Sequence, residues 1–112
     1  MTDCLFCKIA AGEIPAQIVK RRDGFVAFKD INPQAPTHVL VIPVQHVASL
    51  EGAPDPRVLG ELLAFTRDLA RELNVAQRGY RVVLNTNAEG GQTVFHLHAH
   101  LLGGRPMTWP PG

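Results

Sequence analysis

The chain has 112 residues, a length that suits one domain spanning residues 1–112 with a usable but limited core. It is 46% hydrophobic and 19% charged with a net charge of +1, which excludes a broad field attracting polyanions and hence nucleic-acid binding by bulk charge. No apolar run approaches the roughly 20 residues that span a bilayer, and Met1 to Ile9 lacks the basic start and long apolar centre of a signal peptide. A cytoplasmic protein with neither membrane nor nucleic-acid partner is expected.

Both cysteines fall in Cys4-Leu5-Phe6-Cys7, and in a reducing compartment that spacing points to metal binding or free thiols rather than a structural disulfide. Asp3 is the expected cap of a short helix over Cys4 to Ala11, which Gly12 and Pro15 stop. From Ala16 to Lys29 apolar residues alternate on either side of Asp23-Gly24, predicting a hairpin. Asp30 to Pro36 is dense in turn formers and predicts a loop. His38 to Pro43 is a β-branched apolar run, predicting a central strand buried on both faces.

Asp55-Pro56 predicts a capped helix start. Leu59, Leu62, Leu63, Thr66, Leu69, Ala70 and Leu73 then follow three- and four-residue spacing, opposite Glu61, Arg67, Asp68, Arg71 and Glu72. Tyr80 to Asn85 predicts a strand, Thr86 to Gln92 a polar glycine-bearing loop, and Val94 to Leu102 the last strong strand.

His96-Leu97-His98-Ala99-His100 places imidazoles at two-residue spacing, so on a strand all three project from one face, about 6.5–7 Å apart. A plain metal site at His98 and His100 is one reading of this pattern, imidazole being the commonest metal ligand. Gly90-Gly91-Gln92-Thr93 just before it offers backbone N–H groups and a hydroxyl to an anion, which favours phosphorus chemistry.

His-x-His-x-His followed by two apolar residues resembles the signature of the histidine triad family of nucleotide hydrolases and transferases. Asp30 to His38, Gly90 to His96, Gly103-Gly104-Arg105 and Trp109-Pro110-Pro111-Gly112 resemble hallmark blocks of its Hint branch, so the resemblance covers nearly the whole chain. It implies an α+β fold with a five-stranded antiparallel sheet and one long and one short helix, pairing as a homodimer into a ten-stranded sheet. The proline-rich tail Met107 to Pro111 would reach toward the partner's active site.

The activity implied is cleavage of the P–N bond of purine nucleoside 5′-phosphoramidates, such as AMP joined to an amine or to lysine. His98 would be the nucleophile forming a nucleotidyl-histidine that water then hydrolyses. His100 and His38 would lie near the phosphate, assisted by Gln92 and Thr93; Thr93 stands where the family more often has serine, which bears on the leaving group. Asp30 would accept hydrogen bonds from the ribose hydroxyls, as a carboxylate can; a turn-capping aspartate is the other reading.

Leu5, Phe6, Phe28 and Ile31 would sandwich the purine, or else are core. Asn85, Gly91 and Val94 complete the implied nucleotide contacts. Cys4, Cys7, His46 and His96 resemble the family's structural zinc tetrad, whose removal is expected to loosen the fold before it stops chemistry. A dinucleoside polyphosphate hydrolase, a non-enzymatic nucleotide-binding regulatory module and a zinc-binding scaffold are the competing functions; the last leaves His98, His100 and Asp30 unexplained.

Overall fold

Strand β3 (Thr37–Pro43) carries the apolar run, and its alternating side chains feed two separate cores in this computed structural model, which describes residues 3–53 and 55–112. Val39 and Val41 point to one face, with Phe25, Ala27, Leu97, Ala99 and Leu101; Leu40 and Ile42 point to the other, with Val26 and Phe28. A strand covered on both faces needs no polar alternation, which is why the run is continuous.

The hairpin forms as expected, β1 (Ile18–Arg22) joining β2 (Phe25–Lys29) through Asp23 and Gly24, whose φ of +82° suits a residue without Cβ. With β4 (Tyr80–Val83) and β5 (Ala99–Gly103) these strands make one antiparallel sheet of five in the order β1-β2-β3-β5-β4. The expected strand over Val94 to Leu102 is therefore shorter at its start. Pro43 opposite it has no N–H to donate, and its carbonyl accepts from the His96 ring at 2.8 Å, so no ladder forms before Ala99.

Helix α1 (Leu5–Ala10) is capped by Cys4 and not by Asp3: the Cys4 thiol accepts from the Cys7 N–H at 3.3 Å. Its Phe6, Ile9 and Ala10 close the second core. Helix α2 (Pro56–Glu72) starts at the expected cap, Asp55 accepting from the Arg57 N–H at 2.9 Å. It ends with Asn74 at φ +63° and the Val75 N–H on Ala70 O at 3.0 Å, a Schellman turn with asparagine at the left-handed position.

The face α2 buries is rotated slightly from the expected one. Phe65 is fully buried between Leu62 and Leu69, whereas Leu63, 100° round from Leu62, is 45% exposed. The Thr66 hydroxyl inside this face donates to Leu62 O at 2.8 Å. Among the described residues no helix is long and apolar enough to cross a membrane.

Candidate active site

His98 sits just before β5, buried, with its Nδ1 2.7 Å from the carbonyl of His96. A carbonyl only accepts, so Nδ1 carries the proton and Nε2 keeps a free lone pair. Burial lowers the His98 pKa below the ordinary imidazole value, against the raising effects of that bond and of Asp30. The ring is therefore neutral at pH 7 and nucleophilic at Nε2.

His100 follows on β5, its ring centroid 4.9 Å from that of His98, closer than extended spacing alone suggests because the rings tilt together at 60°. Antiparallel pairing of β3 with β5 sets His38 opposite Leu102 and Leu40 opposite His100, and His38 Nε2 lies 2.9 Å from His100 Nδ1. The Gln34 N–H donates to His38 Nδ1 at 3.0 Å. His38 must then hold its proton on Nε2 and donate to His100 Nδ1, which leaves the His100 proton on Nε2 as a donor. Burial, then the neighbouring His98 and His38 rings, push His100 down to about 4, with Asp30 opposing. Burial also lowers His38, again against Asp30.

Asp30 caps the turn, as one of its two readings had it. Its Oδ1 accepts from the Asn32 N–H at 2.8 Å, capping the turn, while Oδ2 lies 3.4 Å from His38 Nε2. Of the apolar four, Phe6 and Phe28 are buried and meet edge to face at 5.4 Å, with Phe6 also 5.1 Å from the His98 ring. Leu5 and Ile31 are exposed, Ile31 at 98%. A hollow of about 540 Å³ beside Asp30 and Ile31 is lined also by Pro15, Ala16, Gln17 and Lys29. Only folding brings the first three, at the start of the hairpin, beside Lys29 at its end.

The loop before the histidines corrects one expectation. The Gly91 N–H donates to Ala88 O at 3.0 Å and the Gln92 N–H to Asn87 O at 3.1 Å, so neither is free for an anion. The buried Gln92 amide is likewise occupied: Nε2 donates to Ala48 O at 2.8 Å and Val94 O at 3.1 Å, and Oε1 accepts from the Asn87 N–H at 2.9 Å. Gln92 therefore holds the loop together, and Thr93 after it is exposed. Val94 packs beside the second core, and Asn85 is half-buried just past β4.

A second cluster lies behind His98. His96 Nδ1 is 3.3 Å from Cys4 Sγ and 3.5 Å from Cys7 Sγ, and Cys7 Sγ is 3.4 Å from His46 Nδ1. The donor atoms of all four residues lie within 4.8 Å of one another. Tetrahedral zinc with ordinary bond lengths sets sulfur and nitrogen ligands about 3.5 Å apart, so this cluster fits it. His96 Nε2 donates to Pro43 O at 2.8 Å, which fixes the tautomer that turns the Nδ1 lone pair toward the thiols. His96 thus parts company with the other two histidines: it belongs to the sulfur cluster, whereas His98 and His100 face Asp30 and His38.

Known proteins share this architecture. The chain is 51% identical to an uncharacterized HIT-like protein of Synechocystis, over 98% of this chain and 97% of the relative. It is 43% identical to the purine nucleoside phosphoramidase of Escherichia coli K12, over 94% and 90%. The solved HIT family hydrolase of Legionella pneumophila superposes with a TM-score of 0.95 at 51% identity, covering 98% of this chain and all of that one. A zinc-bound histidine triad protein of Mycobacterium smegmatis superposes with a TM-score of 0.79 at 32% identity, over 93% and 76%. With the HIT domain profile matching residues 11–107 as well, the chain belongs to the histidine triad family.

Proposed function

We propose that the protein hydrolyses the P–N bond of purine nucleoside 5′-phosphoramidates through a nucleotide covalently held on His98. The observation that carries this reading is the His98 ring itself: buried, neutral, its Nδ1 proton tied to the His96 carbonyl and its Nε2 lone pair free. The 43% identity to a purine nucleoside phosphoramidase supports the substrate class.

In the first step His98 Nε2 attacks the α-phosphorus, the P–N bond breaks, and the departing amine leaves neutral by taking a solvent proton relayed through the Thr93 hydroxyl. In the second step water attacks the same phosphorus, breaking the P–Nε2 bond, returning a proton to solvent and releasing the nucleoside monophosphate with His98 again protonated only at Nδ1. His100, presenting an N–H from Nε2, stabilises charge on the phosphoryl oxygens in both steps, where a donor fixed in advance acts without reorganising. Asp30 holds the ribose hydroxyls. Leu5, Ile31 and the hollow beside them receive the base, and Asn85 and Val94 flank the phosphate side.

Cys4, Cys7, His46 and His96 would hold zinc, which when bound cross-links α1 to the chain around β3 and β5. The chain acts as a homodimer, its outer strand β4 and the exposed Leu63 of α2 being the surfaces that support pairing. The cytoplasm is its expected location, with no nucleic acid or membrane as partner.

The test is AMP release from adenosine 5′-phosphoramidate by the native protein and by His98→Ala, with mass spectrometry of the native protein quenched in alkaline denaturant, which spares the acid-labile P–N bond of a nucleotidyl-histidine. Release by the native protein alone, with an adenylyl adduct on His98, is the expected result. AMP binding without release by the native protein would overturn the enzyme reading in favour of a nucleotide-binding module.

A further inference from the structure

His96 is held at three points. Its Nε2 donates to Pro43 O at 2.8 Å, its Nδ1 faces Cys4 Sγ at 3.3 Å and Cys7 Sγ at 3.5 Å, and the next N–H, that of Leu97, donates to Val47 O at 2.6 Å. The carbonyl of His96 and the N–H of Leu97 belong to one planar peptide unit. Fixing the N–H on Val47 therefore aims the carbonyl, and it meets His98 Nδ1 at 2.7 Å. That single contact selects the tautomer in which Nε2 is the free nitrogen.

The sulfur cluster reaches His98 by a second route. Cys4 caps α1 and Cys7 lies within it, and Phe6 between them packs edge to face on His98 at 5.1 Å and on His96 at 6.0 Å. His46, the most exposed of the four cluster residues, closes the set from the segment after β3, the same segment that carries Val47.

We propose that His96 is a positioning residue, and that a metal ion held by Cys4, Cys7, His46 and His96 fixes the peptide that orients His98 and so raises turnover rather than substrate affinity. With no ion, the Nδ1 side of the His96 ring is held only by weak contacts to thiols. The ring keeps its Pro43 bond, but α1 loses its cross-link to it, and Phe6 and the His96–Leu97 peptide are held less firmly against His98. Misplacing a reacting group by about 1 Å can cost on the order of 10²-fold in rate. The inference rests on the reading of His98 as nucleophile.

The experiment compares zinc-loaded protein with protein stripped by a chelator, in two readouts. The first is the long-range ¹H–¹⁵N spectrum of the free protein, which reports the His98 tautomer and needs no substrate. The second is kcat and KM for adenosine 5′-phosphoramidate. Zinc-loaded protein is expected to show His98 in one Nδ1–H tautomer. Stripped protein is expected to show a broadened or mixed His98 signal and a kcat lower by about 10- to 100-fold at unchanged KM.

An unchanged His98 signal, or an unchanged kcat, on stripping would overturn the proposal. Where stripped wild-type protein unfolds, His46→Ala titrated with zinc makes the same comparison, since it removes the outermost ligand and leaves the His96 peptide intact. Failure of the loaded protein to turn over any phosphoramidate would strike the nucleophile reading instead, while the His98 spectrum would still decide whether the metal orients the ring.

Discussion

The hydrogen bond between His38 and His100 runs in one direction: Nε2 of His38 donates to Nδ1 of His100 at 2.9 Å, because the backbone N–H of Gln34 already occupies Nδ1 of His38 at 3.0 Å. A peptide N–H in the loop before β3 thereby decides, through two rings, that His100 presents a proton and not a lone pair to whatever sits beside His98. Neither ring needs a positive charge for this, in keeping with the downward shifts that burial imposes on both.

His100→Ala should then lower kcat for a phosphoramidate by about 10² to 10³-fold, the usual effect of removing one fixed donor from a developing oxyanion. His38→Ala should cost about tenfold or more, because His100 remains but its tautomer is no longer selected. The double variant should be no slower than His100→Ala alone, since His38 acts through His100. Independent, multiplying losses in steady-state kinetics would show that His38 touches the substrate directly.

Gly90→Ala should damage activity as well as stability. An added Cβ there would stand 2.8 Å from the Thr86 backbone nitrogen and 3.1 Å from its carbonyl carbon, and backbone cannot swing aside as a side chain can. The loop must shift, and it carries both the Gln92 amide that holds it to Ala48 and the exposed Thr93. Overpacking of this kind costs about 1–3 kcal/mol, whereas displacing Thr93 by about 1 Å should cut kcat/KM on the order of 10²-fold. A lowered melting temperature with kcat/KM of the folded protein unchanged would refute the loop's role.

The parts of this structure legible in the sequence are those fixed by neighbours along the chain. The run from His38 to Pro43 gave β3, the Asp55-Pro56 pair gave the start of α2, and Asp23-Gly24 gave the hairpin. What was misjudged depends on contacts across the fold. Cys4 displaces Asp3 as cap because its thiol accepts the Cys7 N–H, and β5 begins only at Ala99 because Pro43 faces the segment before it. Leu63 and Phe65 trade places because the sheet selects which stripe of α2 it covers. The histidines were legible from spacing and from the family resemblance. That His96 joins the cysteines was implied by the resemblance and the geometry agrees; what holds it there, Pro43 and Val47, no spacing along the chain brings beside it.

Phe65→Ala should be among the most damaging single changes to stability. The ring is fully buried, meets Phe25 at 6.5 Å between centroids, and lies under the Arg22 guanidinium at 4.5 Å. Loss of a buried phenyl ring costs about 3–5 kcal/mol through transfer and cavity together, against a total of about 5–15 kcal/mol for a typical domain. Urea unfolding should show the unfolding free energy falling by that amount; a loss under about 1 kcal/mol would mean the core collapses to fill the space. Leu63→Ala, at an exposed site on the same helix, is the internal comparison for a monomeric sample.

The buried imidazoles also set how stability responds to acid. His38, His98 and His100 all have folded-state pKa values below the ordinary 6.5, with burial the largest cause in each, and His100 lies at about 4. Above pH 6.5 both folded and unfolded chains keep these rings neutral, and stability is full. Below it the unfolded chain takes up protons that the folded one refuses, so stability falls as pH drops from 6.5 toward the folded values and levels off beneath them. The slope is at most about 1.4 kcal/mol per pH unit for each such ring. Urea midpoints measured between about pH 7 and pH 5 keep clear of most carboxylate titration. They should fall more steeply for the native protein than for His100→Asn, which removes one of the rings; parallel pH profiles for the two would show that His100 protonates as readily in the folded chain as in the unfolded one.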